Sequence, residues 1–455
     1  MATSAIQKGD KKVIKGWVFY DWANSVYNLV ISSAIFPIFY DTVTTNYFKA
    51  QYFKKDISIA KEMKLPDNVE VMVDFFGAKL SNSVLMSFVL SASFLVVSFL
   101  SPMLSGIADY TGSKKKFLKF FCYFGALACI SLYWFNPAHL EIGMLSLFLA
   151  SIGFWNSLVF YNAFLPEIAE PEDHDKISAR GFSMGYIGSM LLLILCLVWS
   201  QVLKLPIYWC FVFVGVWWIG FSQITYRVLP NNVYSRKPKA GIWRGFRELG
   251  FVFKEFKQTH RLKRYLFAFF FFNTGVQTVM LMATIFAKKE IEWPNENDTS
   301  GLIIAILLIQ ILGAVGAFLM SRLSAKIGNV NTLITTVVVW IGICYAAFYI
   351  TKPIEFYILA SSVGLVMGGI QAIARSTYSK FLPETRSHAS YFSFYDATEK
   401  IGIVLGTFFF GIVEHLTHSL RFSVVSVAVF FCIGLILLFF VPKEEKGLTK
   451  GYGIE

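Results

Sequence analysis

The chain has 455 residues, of which 56% are hydrophobic, 17% aromatic and only 15% charged, against about 25% charged in an ordinary soluble domain. Its 47 Phe side chains exceed what a water-facing fold can bury, so lipid is their natural solvent. The net charge of +12 collects in alternate loops with no nucleic-acid motif beside it, which points to membrane orientation and argues against nucleic acid as a partner.

Runs of about 20 apolar residues match a bilayer-crossing helix. Twelve occur, at roughly 16–40, 83–104, 117–135, 140–165, 181–202, 206–229, 265–287, 301–320, 331–350, 354–381, 398–416 and 420–441. The expected fold is an all-α membrane protein in two pseudo-symmetric six-helix lobes. Residues 1–229 form the first lobe, 230–264 a linker, and 265–455 the second lobe with its tail. The polar N-terminus lacks a cleavage site after its first apolar run, so that run is expected to stay as a membrane helix. Lys8, Lys11, Lys12 and Lys15 place the N-terminus inside, and an even number of spans brings Lys443, Lys446 and Lys450 to the same side. Both termini are therefore expected in the cytoplasm. Segment 41–82 carries six Lys against six acids and reads as an external loop.

Polar groups inside membrane spans are costly and tend to face a cavity or a partner. In span 1, Asp21 is the candidate proton-coupling residue, with a carboxylate at the helix dipole's positive end as the plainer reading. Asn24 and Asn28 follow on the same helical face. The junction of spans 2 and 3 runs Gly106-Ile107-Ala108-Asp109-Tyr110-Thr111-Gly112-Ser113-Lys114. Asp109, Gly112 and Lys114 are expected to gate, with Asp109 able to meet a helix N-terminus in one conformation only. Its second-half counterpart, near Ala325, lacks the acid. Span 4 carries Asn156, Tyr161 and Asn162, and Arg180 opens span 5, where it is expected to join Asp109 in a gate network with the charges of span 11.

The linker holds ten Lys/Arg against two acids over 231–264. Within it Ile242, Phe246, Leu249, Phe253 and Phe256 recur as an amphipathic helix expected on the inner leaflet. Span 7 carries Asn273 and Gln277, and span 10 carries Gln371 and Arg375. The amides suit a small polar solute, and they also serve to glue helices together. Arg375 matches Asp21 in depth and opposes it in charge, which predicts a salt bridge between the lobes. Asp396, Glu399 and Lys400 fall at the expected inner edge of span 11 and read as gate or anchor.

Tyr161-Asn162-Ala163-Phe164-Leu165-Pro166-Glu167 returns as Tyr378-Ser379-Lys380-Phe381-Leu382-Pro383-Glu384, an offset of 217 residues. Gly185 and Gly402 fall in phase with it. Asn24 and Gln277's partner Asn28 find counterparts at Asn273 and Gln277 with an offset of 249, the excess lying in the 41–82 loop. A membrane chain built from two copies of one unit implies a transporter with its path between the halves. Six scattered Cys form no Cys-x-x-Cys pair. No metal cluster, nucleotide-binding loop or nucleophile–base pattern is apparent, so no cofactor, no metal and no enzymatic activity are expected.

The Ala108–Lys114 stretch resembles the loop motif of the major facilitator superfamily, with Ser105 in place of its usual first Gly. Phe19-Tyr20-Asp21-Trp22-Ala23-Asn24-Ser25, the Tyr161–Glu167 heptapeptide and Ser178-Ala179-Arg180-Gly181-Phe182 resemble the vacuolar amino-acid effluxers of fungi and their bacterial relatives. The resemblance implies the facilitator fold, a cavity lined by spans 1, 4, 7 and 10, a monomer, and transport of a small-molecule substrate. Amino acids with proton coupling, in a bacterial inner membrane, are the expected case. A drug, sugar or lipid facilitator, or a sensor without transport, stays open beside it.

Overall fold

The computed structural model describes residues 8–66, 69–230, 243–294 and 300–444, with side chains of the third stretch from Leu249 onward. Among them twelve helices are long and apolar enough to cross a membrane. They are α1 Lys11–Phe53, α2 Asn82–Thr111, α3 Lys114–Trp134, α4 Leu140–Ile168, α5 Pro171–Val202 and α6 Tyr208–Val228, then α7 His260–Glu290, α8 Ser300–Ile327, α9 Asn329–Ala347, α10 Pro353–Phe381, α11 His388–Thr417 and α12 Leu420–Phe439. In the first lobe α1 lies against α5 and α6, α3 against α4 and α6, and α2 against α4. In the second, α7 lies against α11 and α12, α8 against α10, and α9 against α10 and α12. The lobes meet where α5 crosses α8 and α10, and where α2 crosses α11. Successive helices alternate in direction, so the start of α1 and the end of α12 share one side, called here the terminal face.

Three elements depart from the sequence reading. The first is α1, which runs on to Phe53 instead of yielding to a loop near residue 40. No breaker interrupts 41–53, and the helix stops only where Lys54 turns left-handed at φ 52°. At ~1.5 Å per residue it exceeds the ~30 Å hydrocarbon core about twofold. Its middle, Tyr27–Ala34, is a π-helical stretch. Beyond the distal end, β1 Met72–Phe75 and β2 Ala78–Ser81 pair antiparallel. Asn82 ties this region back to α1 through Asp41 at 3.1 Å and Thr44 at 3.3 Å.

The second departure is α11, which begins at His388, ten residues before the apolar run. Its first turns are polar yet buried between the lobes, at Ser390, Ser393 and Asp396. The third is the linker helix Trp243–Gln258, one side of which meets protein, a contact the sequence reading did not place. It packs on α2, buries Val252, and sets Phe253 and Phe256 about 6 Å from the ring of Phe394 on α11. Phe251 and Phe253 remain exposed on its outer side. Ile242 and the side chain of Phe246 lie outside the described residues.

Candidate interlobe gate and its buried charges

Arg375 on α10 is 3% exposed and reaches across to the first lobe. Its Nη2 donates to Asp21 Oδ2 at 3.1 Å and to the Ser178 carbonyl at 2.9 Å. Its Nε donates to Ser178 Oγ at 2.9 Å, and its Nη1 to Asn162 Oδ1 at 3.3 Å. Tyr161 donates a further hydrogen bond to Asp21 Oδ2 at 2.9 Å. The faces of the guanidinium are covered by Phe182 at 4.2 Å and Trp17 at 4.9 Å. Trp17 in turn stacks on Tyr161, 4.4 Å between centroids, and donates to its carbonyl. A guanidinium presents five donors in a rigid fork, and here four hydrogen bonds and two aromatic faces engage it. Gly181 leaves the space: a Cβ there would strike both Asp21 Oδ2 and Arg375 Nη2.

Nearer the terminal face, Asp109 at the end of α2 accepts from Ala389 N at 3.1 Å, Ser390 N at 2.7 Å and Ser390 Oγ at 2.8 Å. An anion thus sits on the N-terminus of α11, where free N–H groups and the helix dipole favour negative charge. Gly112 closes α2 with φ 66°, a left-handed turn that glycine adopts freely. It sends the chain back into α3, where Lys114 pairs with Glu167 of α4. Glu167 also lies 2.9 Å from His388 Nδ1, across the lobes.

On the other flank Asp175 of α5 binds Lys380 Nζ at 2.7 Å, Asn329 Nδ2 at 2.7 Å and Ser324 Oγ at 2.9 Å. The sequence reading allowed such a contact only to the first copy of the junction, because the α8–α9 turn has no acid. The turn has no acid of its own, and α5 of the opposite lobe supplies the one it meets. Asp175 passes unnoticed among Glu170, Glu172 and Asp173, and only its burial sets it apart. Glu167 had a signal in sequence, since it closes the repeated heptapeptide.

The remaining expected site residues divide. Tyr186 OH donates to Gln371 Oε1 at 2.9 Å, one more link between lobes. Asn24, Asn156 and Asn273 are buried, each with one amide atom lacking a hydrogen-bond partner. Asn28 is exposed although it follows Asn24 by one helical turn. The π stretch beginning at Tyr27 widens the turn and rotates Asn28 off that face. Arg180 is exposed and stands outside these contacts. Asp396, Glu399 and Lys400 do not join Asp109 at the edge. They lie two to three turns inside α11, with Lys400 Nζ 3.2 Å from Asp396, 3.7 Å from Glu399 and 3.2 Å from the Trp155 ring centroid of α4. Gln277 donates to Glu399 at 3.0 Å. A groove on α5 and α6, lined by Leu192, Phe213, Trp217 and Phe221, is apolar throughout.

Residues 9–450 match the family model described as vacuole effluxer Atg22 like. The chain is similar to the uncharacterized MFS-type transporter YxiO of Bacillus subtilis, 28% identical over 439 residues, covering 94% of this chain and 95% of that one. Autophagy-related protein 22 of Saccharomyces cerevisiae is 26% identical over 414 residues, covering 78% and 76%. Among solved structures, the human organic anion transporter MFSD10 superposes with a TM-score of 0.67 at 12% identity, covering 95% of this chain and all of the other. At that identity the likeness is one of fold, and the fold is that of major facilitator transporters.

Proposed function

The chain belongs to the vacuole effluxer Atg22-like family, and from that premise we propose that it works by alternating access and that its described state is closed at the terminal face. It is a multi-pass membrane protein and a secondary transporter of the major facilitator kind, not an enzyme. In the proposed cycle residues 1–229 rock against 265–441 and the terminal face is cytoplasmic. The observation that supports this most is the gathering of polar links between lobes toward one end. Asp109 on α11, Asp175 on α8–α10, and Asp21 on Arg375 form three separable latches. A carrier needs contacts of this kind, made in one state and released in the other.

The substrate in this reading is a small polar solute, with amino acids first, moved with protons across a bacterial inner membrane by a monomer. Asn24, Asn28, Asn156, Tyr161, Asn162, Asn273, Gln277 and Gln371 are its proposed binding set. Three buried amides with unmet hydrogen-bonding capacity support a polar ligand over an apolar one. The test is uptake of a labelled amino-acid mixture into proteoliposomes with and without an inward proton gradient. Gradient-stimulated uptake is the expected result. No uptake by folded protein removes amino acids and turns the search to sugars, drugs and lipids.

A further inference from the structure

Two sets of ionisable groups lie inside the helical bundle, and their charges do not balance alike. Asp21 and Arg375 sum to zero. Asp396, Glu399 and Lys400 sum to −1 when all are ionised, within one buried site. Lys400 is 0% exposed and Asp396 6%. Lys400 lies twelve residues into α11, ~18 Å from the helix start at ~1.5 Å per residue, which is far from either edge of a ~30 Å core. A net charge at that depth is expensive unless something neutralises it. The hydrogen bonding is incomplete too: neither Asp396 Oδ2 nor Lys400 Nζ has a hydrogen-bond partner.

Among the described residues the surroundings bring no further cation. From α4 the facing group is the Trp155 ring, and from α7 it is the neutral amide of Gln277. Arg375 of α10 faces Tyr395, next to Asp396, but is spent on Asp21. Asp109 of α2 and Glu255 of the linker helix face only the first turn of α11, at Ser390 and Tyr391. The one charged side chain of α12, Arg421, is held by Glu290. The site is thus one positive charge short, and too closed for a solute.

We propose that the proton carried by this transporter binds the Asp396–Glu399 carboxylate pair, with Lys400 as fixed counter-charge, and that Asp21 is a lock and not the carrier. The proposal rests on the proton-coupled reading given above. One O–H bond forms on a carboxylate oxygen, and the cluster passes from −1 to zero. Two carboxylates sharing one lysine cannot both stay ionised as easily as one. Glu399 is the entry point, being less buried than its neighbours, and its bond to Gln277 links the proton to α7. Asp21 is gripped by hydrogen bonds from Arg375 and Tyr161.

The experiment is infrared difference spectroscopy of the reconstituted protein between about pH 9 and pH 6, a window in which exposed carboxylates of pKa about 4 stay ionised. A protonated-carboxyl C=O band is expected to grow in the unmodified protein. It should persist in the neutral-pair variant Asp21→Asn/Arg375→Gln and vanish in Glu399→Gln and in Asp396→Asn. Two near-isosteric variants guard against one that fails to fold. A band absent from the unmodified protein, kept in both cluster variants, or lost with Asp21 overturns the proposal. The spectra need no substrate. In parallel, Glu399→Gln should lose the gradient stimulation of labelled amino-acid uptake. If the unmodified protein takes up no amino acid, the transport reading fails while the spectra still decide where the proton sits.

Discussion

Arg375 and Lys400 are both cations of the second lobe buried from water, yet they are held in opposite ways. Arg375 has an acid across the lobe boundary, hydrogen bonds to three side chains and a carbonyl, and aromatic cover. Lys400 has two acids on its own helix, an indole ring, and no hydrogen bond. The first arrangement fixes a geometry, because four of the five donors have a partner. The second leaves a charge open to change. Depth in the membrane alone therefore does not assign a buried carboxylate its role; the completeness of its partners does.

The strongest way to break this contrast is to empty one side of the complete pair. Arg375→Gln leaves Asp21 without its counter-charge, and removing one partner of a buried pair costs about 3–5 kcal/mol. Thermal unfolding in detergent should fall accordingly, and Asp21→Asn/Arg375→Gln should recover most of the loss. Strictly additive losses would dissolve the pair as a unit. Next in size is Gly181→Ala, which keeps every charge and removes only space. Overpacking of this kind costs about 1–3 kcal/mol, and the expected sign is a lobe boundary that opens more readily, read as longer distances between spin labels on α2 and α11. A stability equal to the parent's would mean that the pair has slack.

Asp109→Asn keeps the shape of the anion on α11 and removes its charge. The expected weakening is about 1 kcal/mol, a shift of several-fold toward the state open at the terminal face by the same label distances. Asp175→Asn should do less, since Lys380 is part-exposed and the amide oxygen of Asn still accepts from part of the same donor set. Arg180→Gln is the smallest, within about 0.5 kcal/mol as for an exposed surface group. An effect as large as that of Arg375→Gln would return Arg180 to the gate.

The parts of this arrangement legible in sequence are those announced by a charge within an apolar run. Asp21 and Arg375 stand out in that way, and matched depth was enough to pair them. Asp109 was legible through its junction. What escaped was polar sequence buried by the other lobe. Residues 385–397 read as loop because Arg386, His388 and a row of Ser dilute their hydropathy, yet from His388 on they form the first turns of α11. That shift put Lys400 at a membrane edge when it lies deep inside. Residues 41–53 misled as well, being a largely half-buried polar helix that hydropathy cannot tell from loop. Asp175 had three acidic neighbours within five residues, and only the tertiary fold selects among them.

Among the contacts between described residues given above, each carboxylate that joins the lobes, Asp21, Asp109, Glu167 and Asp175, belongs to the first half of the chain. Every group that receives them, Arg375, the α11 N-terminus, His388 and Lys380, belongs to the second. Although the halves are copies in shape, they are mould and cast in charge. Two first halves brought face to face would oppose acid to acid, and two second halves base to base. Severed at the linker and made as separate polypeptides, the halves should find each other and refuse their own kind. A duplicated fold has become an obligate heterodimer written on one strand.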